Sequence, residues 1–455
     1  GGVSCWGSNT YGELGDGNPE THTATPVDVI LPAGKTASSM TSGNLFSCAI
    51  LNDGTIYCWG KNNLGQLGDG TNTDRSTPVE VTMPAGKSAV QIDALQSSVC
   101  AVMDDNSVYC WGYNGNGQLG TGNYNNQNTP TELSGLSASS VQVGYDHACA
   151  IITNPTSSDA NVRCWGLNTD GQLGDGTTTN SNSPITTTST GGYAAESLDL
   201  GALHSCAVNT NDEVYCWGDG SEHQLGDGYT ADNTQPSAVD MSSISTLSVS
   251  SISLGWYFSC AIMSDDSTYC WGKNNFGQIG DGTGNDFRQT PEKVHIPDGR
   301  YATHLQSGFA STCALLDNQE FVCWGRNQDG AIGDGSGQYG DGTTSVNADS
   351  PVFIGDAISP APTSQTAADT GYYVDSTGQT SQTACAAGTY QANTGQSSCN
   401  NADAGYYVDS TGQTTQTACG LGTYQSSTGQ TSCDDASAGY YVDSTGQTTQ
   451  TECAT

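Results

Sequence analysis

The sequence has very few basic residues. Among its 455 residues, Lys and Arg number 10 against 46 Asp and Glu, which gives a formal net charge of −36 at pH 7. Nucleic-acid binding needs a basic surface that displaces counterions from phosphates, and anionic membranes attract basic segments in the same way. The composition therefore argues against both kinds of partner. A solvated acidic surface explains this charge most simply, and cation binding is the alternative.

The sequence also lacks long apolar runs and a helical period. No stretch reaches the roughly 18 consecutive apolar residues of a membrane-spanning helix. Short β-rich runs instead alternate with clusters of Asn, Asp, Gly and Pro, a pattern typical of strands joined by tight turns. No Gly-x-Ser-x-Gly, His-Glu-x-x-His or phosphate-loop motif is present in the sequence. We therefore expect an all-β protein that is not an enzyme and needs no cofactor.

A repeat organises residues 1–355. Its most regular part is Cys-Trp-Gly, followed by a Gln-Leu-Gly-Asp-Gly turn and a Thr-Pro-Val exit. The copies are almost evenly spaced and start at Cys5, Cys58, Cys110, Cys164, Cys216, Cys270 and Cys323. A fixed period near 50 with strand-like units predicts a ring of blades, because ring closure protects the sheet edges. We predict a seven-bladed β-propeller in which one Trp per blade packs between neighbouring blades.

These motifs resemble the regulator of chromosome condensation repeat. The resemblance rests on the Cys-Ala-Ile strand, the Cys-Trp-Gly-x-Asn strand and the Gly-rich turn, and it covers roughly residues 1–355. It implies the seven-bladed fold. The family includes a nuclear nucleotide-exchange factor that binds chromatin and a secreted bacterial inhibitor that grips β-lactamases through loops on one face. The resemblance therefore does not by itself assign a function.

The first unit is incomplete. No Cys-Ala strand precedes Cys5, and none follows the exit of the last unit at Phe353. Either residues that precede Gly1 complete the blade, or a strand arrives from another molecule. Cys5 consequently has no partner of the repeated type, and a leftover Cys in a secreted chain can pair between molecules.

Cysteine spacing sets the expected compartment. A hairpin with the loop Asn52-Asp53-Gly54 places Cys48 directly opposite Cys58, at a separation that suits a disulfide. The same pair recurs in six units, as Cys48–Cys58, Cys100–Cys110, Cys149–Cys164, Cys206–Cys216, Cys260–Cys270 and Cys313–Cys323. Small buried thiols and a metal site are the alternatives, but the pairs lack Cys-x-x-Cys spacing. We predict six disulfides within blades, and hence an extracellular or cell-surface protein.

An Asp recurs in the Gly-rich turn. It stands at Asp16, Asp69, Asp175, Asp227, Asp281 and Asp334. A ring of carboxylates could bind Ca²⁺, which prefers six or more oxygen ligands. No turn has the alternating Asp pattern of a calcium loop, so we favour an Asp that accepts backbone N–H groups of its own turn.

A second repeat follows a Pro/Ser/Thr-rich linker at 356–370. Gly-Tyr-Tyr-Val-Asp-Ser-Thr-Gly-Gln starts at Gly371, Gly405 and Gly439, and the segment 371–455 resembles the Cys-rich ephrin-receptor-like and growth-factor-receptor-like modules. The Gly-Tyr-Tyr half lacks the extra Cys of those modules. We pair Cys385 with Cys399 and Cys419 with Cys433, which leaves Cys453 for a partner beyond Thr455. We expect a disulfide-stapled stalk that continues further.

Two functions fit this organisation. The first is a secreted or surface-displayed binding or adhesion protein, which presents a propeller head on a stalk. Its protein or glycan ligand would contact variable loops at Tyr124–Asn128, Asn154–Ala160, Asp219–His223 and Gly335–Val346. The alternative is a structural subunit that assembles head to tail into an extracellular filament or surface layer.

The disulfide prediction can be checked by the intact mass of the denatured chain, with and without reductant. We expect a discrete monomer that gains two hydrogen atoms for each of eight bonds. A reductant-sensitive ladder on a gel would place Cys5 or Cys453 between subunits and favour the filament. No mass change would mean free thiols, and the extracellular assignment would then be wrong.

Overall fold

The computed structural model describes residues 2–19, 22–155, 161–244, 247–284, 286–327, 331–332, 347–354, 370, 372–373, 383–393 and 398–454. The chain divides into two compact units, Gly1–Ile358 and Ser359–Thr455. The regular elements of the described residues are β-strands and two short 3-10 turns, Ser242–Ile244 and Pro297–Gly299. No helix in these ranges is long and apolar enough to cross a membrane. The all-β prediction is confirmed. The predicted linker lies outside the described residues except for Thr370, so its bounds stay a prediction.

The first unit is a ring of seven antiparallel blades, as predicted. Within each blade the strands follow one another in chain order from the first strand to the last. Blade one has β1 (Ser4–Gly7) and β2 (Thr23–Asp28); blade two has β3 (Ala37–Gly43), β4 (Phe46–Leu51), β5 (Ile56–Gly60) and β6 (Arg75–Glu80); blade three has β7 (Ala89–Leu95), β8 (Ser98–Met103), β9 (Ser107–Gly112) and the first part of β10 (Gln127–Val143). Blade four has the rest of β10, β11 (His147–Ile152), β12 (Val162–Gly166) and β13 (Ser181–Thr186); blade five has β14 (Ala195–Leu200), β15 (His204–Asn209), β16 (Val214–Gly218) and β17 (Asn233–Ala238). Blade six has β18 (Val249–Leu254), β19 (Phe258–Met263), β20 (Thr268–Asn274) and β21 (Asp286–Lys293); blade seven has β22 (Ala302–Ser307), β23 (Ser311–Leu316), β24 (Phe321–Gly325) and β25 (Ala348–Phe353).

Two features depart from the simple repeat. Blade one contains, among the described residues, only the strands that correspond to the third and fourth strands of the others. Strand β10 runs without a break from blade three into blade four, because Gln127–Ser137 pairs with β9 and Ala138–Val143 pairs with β11. The sequence pattern did not predict this shared strand.

A tryptophan contact joins each blade to the one before it. The indole N–H donates to the backbone carbonyl of the residue before the Leu or Ile of the preceding blade's Gly-rich turn. The pairs are Trp59 to Glu13 (2.8 Å), Trp111 to Gln66 (3.0 Å), Trp165 to Gln118 (2.9 Å), Trp217 to Gln172 (2.9 Å), Trp271 to Gln224 (2.9 Å) and Trp324 to Gln278 (2.9 Å). Trp6 of blade one makes the same bond to Ala331 of blade seven at 3.3 Å. The ring therefore closes through this contact although blade one has two strands.

The glycine of the Gly-rich turn is required by the same contact. Gly68 has a φ of +65°, and a Cβ atom there would lie 2.8 Å from Nε1 of Trp111. Gly15 and Gly280 stand in the same relation to Trp59 and Trp324. A side chain at this position would meet both backbone strain and the indole ring, so the turn and the Trp depend on each other.

Directly opposed cysteines lie inside each complete blade. Cys48 pairs in register with Cys58, and their Cα atoms are 4.0 Å apart with the sulfur atoms bonded. The other five pairs have the same arrangement at 4.0–4.1 Å. The third loop residue of the five short hairpins has a positive φ, which is +69° even at Gln319; these residues are Gly54, Asn106, Asp212, Asp266 and Gln319.

The described part of the second unit is a series of two-stranded hairpins. They are β26 (Tyr372–Tyr373) with β27 (Thr383–Ala384), β28 (Thr389–Tyr390) with β29 (Asn400–Asn401), β30 (Tyr406–Tyr407) with β31 (Thr417–Ala418), β32 (Thr423–Tyr424) with β33 (Asp434–Asp435), and β34 (Tyr440–Tyr441) with β35 (Thr451–Glu452). Successive hairpins share one set of backbone bonds, in which the N–H groups of Gly388, Gly405 and Gly422 donate to the carbonyls of Val408, Gln425 and Val442 respectively. The second unit is therefore a short solenoid whose turns stack through equivalent glycines.

Alternate turns of this solenoid are closed by different chemistry. Cys385–Cys399 and Cys419–Cys433 are bonded in the half-units that contain Gly-Thr-Tyr. In the half-unit between them, Ala402 and Gln416 take the places of the Cys pair, and the Gln416 Oε1 atom accepts the backbone N–H of Asp403 at 2.6 Å. A side-chain amide thus replaces a disulfide. This replacement explains how the half-unit is closed without the extra Cys that the family resemblance led us to expect there.

We predict that Gly68→Ala destabilises the propeller more than Gly86→Ala does. Both glycines have a positive φ, but a Cβ atom at Gly86 would meet nothing within 4 Å. The backbone cost is therefore matched, and the difference, about 1–3 kcal/mol of unfolding free energy, reports overpacking against Trp111. Denaturant unfolding of the two variants measures it. Equal losses would mean that the Trp contact does not require the glycine.

Candidate functional site

One face of the ring collects the parts that vary between blades. This face is formed by the loops between the first and second strands of the complete blades and by the residues that follow Cys-Trp-Gly. The backbone N–H of the residue after Cys-Trp-Gly donates to a carbonyl in the loop of the same blade. Lys61 donates in this way to Leu45 at 2.8 Å, and Arg326 donates to Ala310 at 2.9 Å. We call this surface the loop face. Because the disulfides and the Trp contacts lie beneath it, its side chains project from a rigid base.

Aromatic side chains from three blades meet on the loop face. Trp256 stacks on Tyr145 of blade four at 5.6 Å between ring centroids, and on its neighbour Tyr257 at 5.5 Å. Phe309 of blade seven meets Trp256 edge-on at 3.9 Å. We call these four residues the aromatic cluster. Phe309 is 51% exposed, so the cluster presents a large apolar group to solvent.

Two cations border the aromatic cluster. The Lys273 Nζ atom lies 5.0 Å from the centroid of Tyr257 and 2.6 Å from a carboxylate oxygen of Glu222. The Arg326 guanidinium lies 5.3 Å from the centroids of both Phe276 and Phe309. Cations and ring faces attract each other. The rings therefore hold positive charge at this place in a chain of strongly negative charge.

A small open cleft lies among these groups. It measures about 130 Å³ and is lined by Trp256, Tyr257, Phe276 and Phe309 together with Lys273 and Asn275. Apolar walls with a few polar groups are typical of ligand sites. The cleft can stack a ring and hold an anionic group, but no nucleophile with an adjacent base lies among its described residues.

The sequence repeat does not predict this site. Trp256 is one of 8 Trp residues, and the repeat accounts for the other seven, so the surplus Trp was a signal that could have been used. A second signal was the position after Cys-Trp-Gly, where Lys61, Lys273 and Arg326 place three of the 10 basic residues. Their proximity to the aromatic residues depends on closure of the ring.

Two of the four predicted variable loops lie in the described part of the chain, and both follow a Cys-Trp-Gly strand. Asp219–His223 borders the cleft through Glu222, and Tyr124 is 54% exposed in a turn that follows a Cys-Trp-Gly strand. Most of Asn154–Ala160 lies outside the described residues. So does Gly335–Val346.

The described Asp residues of the Gly-rich turns accept hydrogen bonds from backbone N–H groups of their own turns. Asp69 accepts the N–H of Thr71 at 2.9 Å and two N–H groups of Arg75. Burial raises the pKa of this carboxyl, but the Thr71 and Arg75 hydrogen bonds outweigh it and leave the pKa below its ordinary value. Asp16, Asp175, Asp227 and Asp281 likewise accept the N–H two residues further on. Asp334 lies outside the described residues. Within the described ranges, no group of three or more His, Cys, Asp or Glu is placed to hold a metal ion.

Two buried histidines link blades near the axis. The Nε2 atom of His147 lies 3.0 Å from the hydroxyl of Ser205, which itself donates to the carbonyl of Gln172. His204 repeats this with Ser259 at 2.9 Å. Burial lowers the pKa of both imidazoles to about 3, so they are neutral and act as N–H donors between blades.

Two inner-strand carboxylates have the same structural use. The first strand of each complete blade is the edge of its sheet, and its outward N–H groups need acceptors. Asp93 accepts the N–H of Val143 in the next blade at 2.7 Å, and Asp199 accepts that of Leu254 at 2.6 Å. Burial raises the pKa of Asp93 to about 6, and burial together with the Asp93 charge raises that of Asp199 to about 7. These carboxylates join blades, and no substrate is needed to explain them.

Comparison with known proteins agrees with the ring. Six successive segments, residues 1–50, 53–102, 105–151, 159–208, 211–262 and 265–315, match the family model described as the regulator of chromosome condensation (RCC1) repeat. The ultraviolet-B receptor UVR8 of Arabidopsis thaliana is 31% identical over 338 residues, which are 73% of this chain and 74% of that protein. The human E3 ubiquitin-protein ligase HERC2 is 28% identical over 293 residues, but these span 6% of that protein.

A solved structure shares the fold. The crystal structure of Prp20p from Saccharomyces cerevisiae, described with its binding properties to Gsp1p and histones, has a TM-score of 0.64 at 20% identity and covers 77% of this chain and 85% of that chain. At this identity the likeness establishes the fold alone. It leaves the chemistry of the loop face to be read from this chain.

The inner-strand carboxylates predict a pH dependence of stability. Their pKa values are raised in the folded state above the ordinary 3.8, so the folded chain binds protons more tightly than the unfolded chain. Their contribution is complete below about pH 4 and is lost as the pH rises through about 6 and 7. In Asp93→Asn with Asp199→Asn, an amide oxygen still accepts the N–H group and no charge is buried.

We expect the unfolding free energy of the double variant, relative to that of the wild type, to rise by about 1–2 kcal/mol from pH 4 to pH 7.5. The rise is smaller than the full linkage energy because both carboxylates keep partial access to water. Denaturant unfolding at several pH values measures the gain. Asp104→Asn, at an exposed turn, is the control and should follow the wild type. A pH-independent difference between double variant and wild type would contradict the assignment.

Proposed function

The chain belongs to the regulator of chromosome condensation (RCC1) repeat family, and we propose that its propeller is a non-catalytic head that binds a ligand on the loop face. The aromatic cluster with Lys273 and Arg326 is the observation that supports this most directly. Phe309 contacts Trp256 of the neighbouring blade, yet about half of its surface stays exposed beside the cleft. Contiguous aromatic groups that are exposed on a rigid scaffold are typical of recognition surfaces.

The ligand chemistry differs from that of a chromatin protein. Prp20p is described with binding to Gsp1p and histones, which supports protein recognition as one use of the ring. A net charge of −36 opposes binding to phosphate backbones. We therefore propose a protein or glycan ligand and no nucleic acid.

We propose an extracellular or cell-surface location. The support comes from the six cystine pairs inside blades and the two in the solenoid, since disulfides persist in oxidising compartments. The solenoid has small hairpins and depends on such staples. Head and solenoid would then serve as binding domain and stalk.

A filament subunit is the second candidate. Two cysteines of the described residues that form no disulfide, Cys5 and Cys453, favour it. Burial raises the pKa of the Cys5 thiol to about 12, so its thiolate is scarce, and exposed Cys453 is the better candidate for a bond between chains. Sedimentation of native material with and without reductant separates a monomer from a polymer.

The binding proposal is tested by capture of extracellular material on the full chain. We expect Trp256→Ala with Phe309→Ala to reduce specific capture at least tenfold, because both changes remove the aromatic cluster's surface. Phe321→Ala is the matched control, since Phe321 is 48% exposed at the far end of its blade from the loop face. Equal capture by wild type and double variant would overturn the site, and no capture by any form would overturn the binding function.

A further inference from the structure

We propose that the cleft between blades six and seven binds an acidic sugar residue, with Arg326 on its anionic group and Phe309 against its ring. This inference rests on the proposed binding function and names the ligand class. Three properties of the described residues lead to it: an arginine without a carboxylate partner, an aromatic wall, and a cleft of restricted size.

Arg326 differs from most arginines of the chain. Arg75, Arg288 and Arg300 each form an ion pair with an Asp. In the part of the chain that the structure describes, no carboxylate lies within ion-pair distance of Arg326. With 46 Asp and Glu present, a cation at the edge of a cleft that pairs with none of the described ones is available to an external anion. A guanidinium can bind a carboxylate or a sulfate through two parallel hydrogen bonds.

The aromatic rings fix this guanidinium. Phe276 and Phe309 lie at equal distances of 5.3 Å from its central carbon. The ring contacts restrict its motion and limit the water around it, which strengthens a hydrogen bond to an anion. The N–H groups around the edge of the guanidinium are the part that can bind an anion through two parallel hydrogen bonds.

The remaining lining matches a sugar. The C–H face of a pyranose ring packs on an aromatic ring, and Phe309 is 51% exposed. The exposed side chain of Asn275 can donate to and accept from sugar hydroxyls, and its Oδ1 atom is oriented by the Nε2 atom of Gln278 at 3.5 Å. A cleft of about 130 Å³ suits one ring. An acidic peptide would place a flexible Asp or Glu there and leave the aromatic faces uncovered.

The acidic surface does not prevent this contact. At physiological salt, charges further apart than about 8 Å are largely screened. Lys273 is already paired with Glu222, so the adjacent Arg326 is the cation that dominates over the distant carboxylates. A long polyanion would still meet many of those carboxylates. A short oligosaccharide is therefore the appropriate probe.

The test titrates the full chain with trigalacturonate and follows binding by calorimetry. Galactotriose is the neutral arm, a sulfated galactose trimer is the second anionic arm, and triglutamate is the peptide arm. We expect binding of at least one anionic trimer, at least tenfold tighter than galactotriose. The tighter of the two identifies the anion as carboxylate or sulfate. Equal affinity for the charged and neutral sugars, or binding of triglutamate alone, would overturn the inference.

Variants connect the binding to the cleft. Arg326→Gln should lower the affinity for the acidic trimer at least tenfold without changing the affinity for galactotriose. Phe309→Ala should lower the affinity for both sugars. Arg326→Lys keeps the charge without the two parallel donors and should lie between wild type and Arg326→Gln. Arg300→Gln removes the same charge at an existing ion pair and should leave affinity unchanged. A loss that is equal in Arg300→Gln and Arg326→Gln would reduce the effect to net charge and overturn the proposal.

The outcome is separable from that of the binding function. If capture of extracellular material depends on the aromatic cluster but no acidic sugar binds, the ligand class is wrong and the binding head stands. If capture is unaffected by loss of the cluster, both fail. Thermal unfolding of each variant verifies that the ring remains folded.

Discussion

The hydrogen bond from each Cys-Trp-Gly indole to the Gly-rich turn of the preceding blade is the contact on which the ring depends. It places a large buried side chain between blades and satisfies its one polar group there. It also demands the glycine at Gly68 and its equivalents, and it holds the strand that carries the second Cys of every pair. Closure follows from the same contact, since Trp6 reaches Ala331 from a blade that has two strands.

Near the axis a second set of contacts has a different form. The inner strands have unpaired N–H groups, and side chains of neighbouring blades accept them: Thr41, Asp93, Asp199 and Ser253. Two of these are carboxylates whose raised pKa values would suggest a catalytic pair if considered alone. Their backbone donors explain both their position and their burial. Stability near the axis is therefore sensitive to pH, whereas the indole contacts at the outer part of the blades contain no titratable group.

The parts of the fold that recur could be predicted from the sequence. Cys48 and Cys58 lie in one hairpin, and Trp59 recurs at a fixed period, so local geometry and repetition were sufficient for blades, disulfides and packing. The candidate site is different, because Tyr145, Trp256 and Phe309 are single residues from three blades and meet only when the ring closes. The shared strand β10 was missed for a related reason, since no turn signal distinguishes a strand that changes blades. In the solenoid, Gln416 could not be recognised as the substitute for a Cys until its amide was placed on the N–H of Asp403.

Charge and recognition act at different distances in this protein. The excess of 36 negative charges produces a long-range field that opposes any polyanion and keeps copies of the chain apart. A field of this kind selects little by itself, because salt screens it within about one Debye length. Arg326 acts within that length, beside a ring that reduces its hydration. A ligand with one acidic ring would meet the local cations while avoiding most of the repulsion that a longer polyanion encounters. The acidic surface would then reject extended anions, and the cleft would admit a short or terminal one. The negative surface and the positive cleft would together select short acidic ligands over long ones.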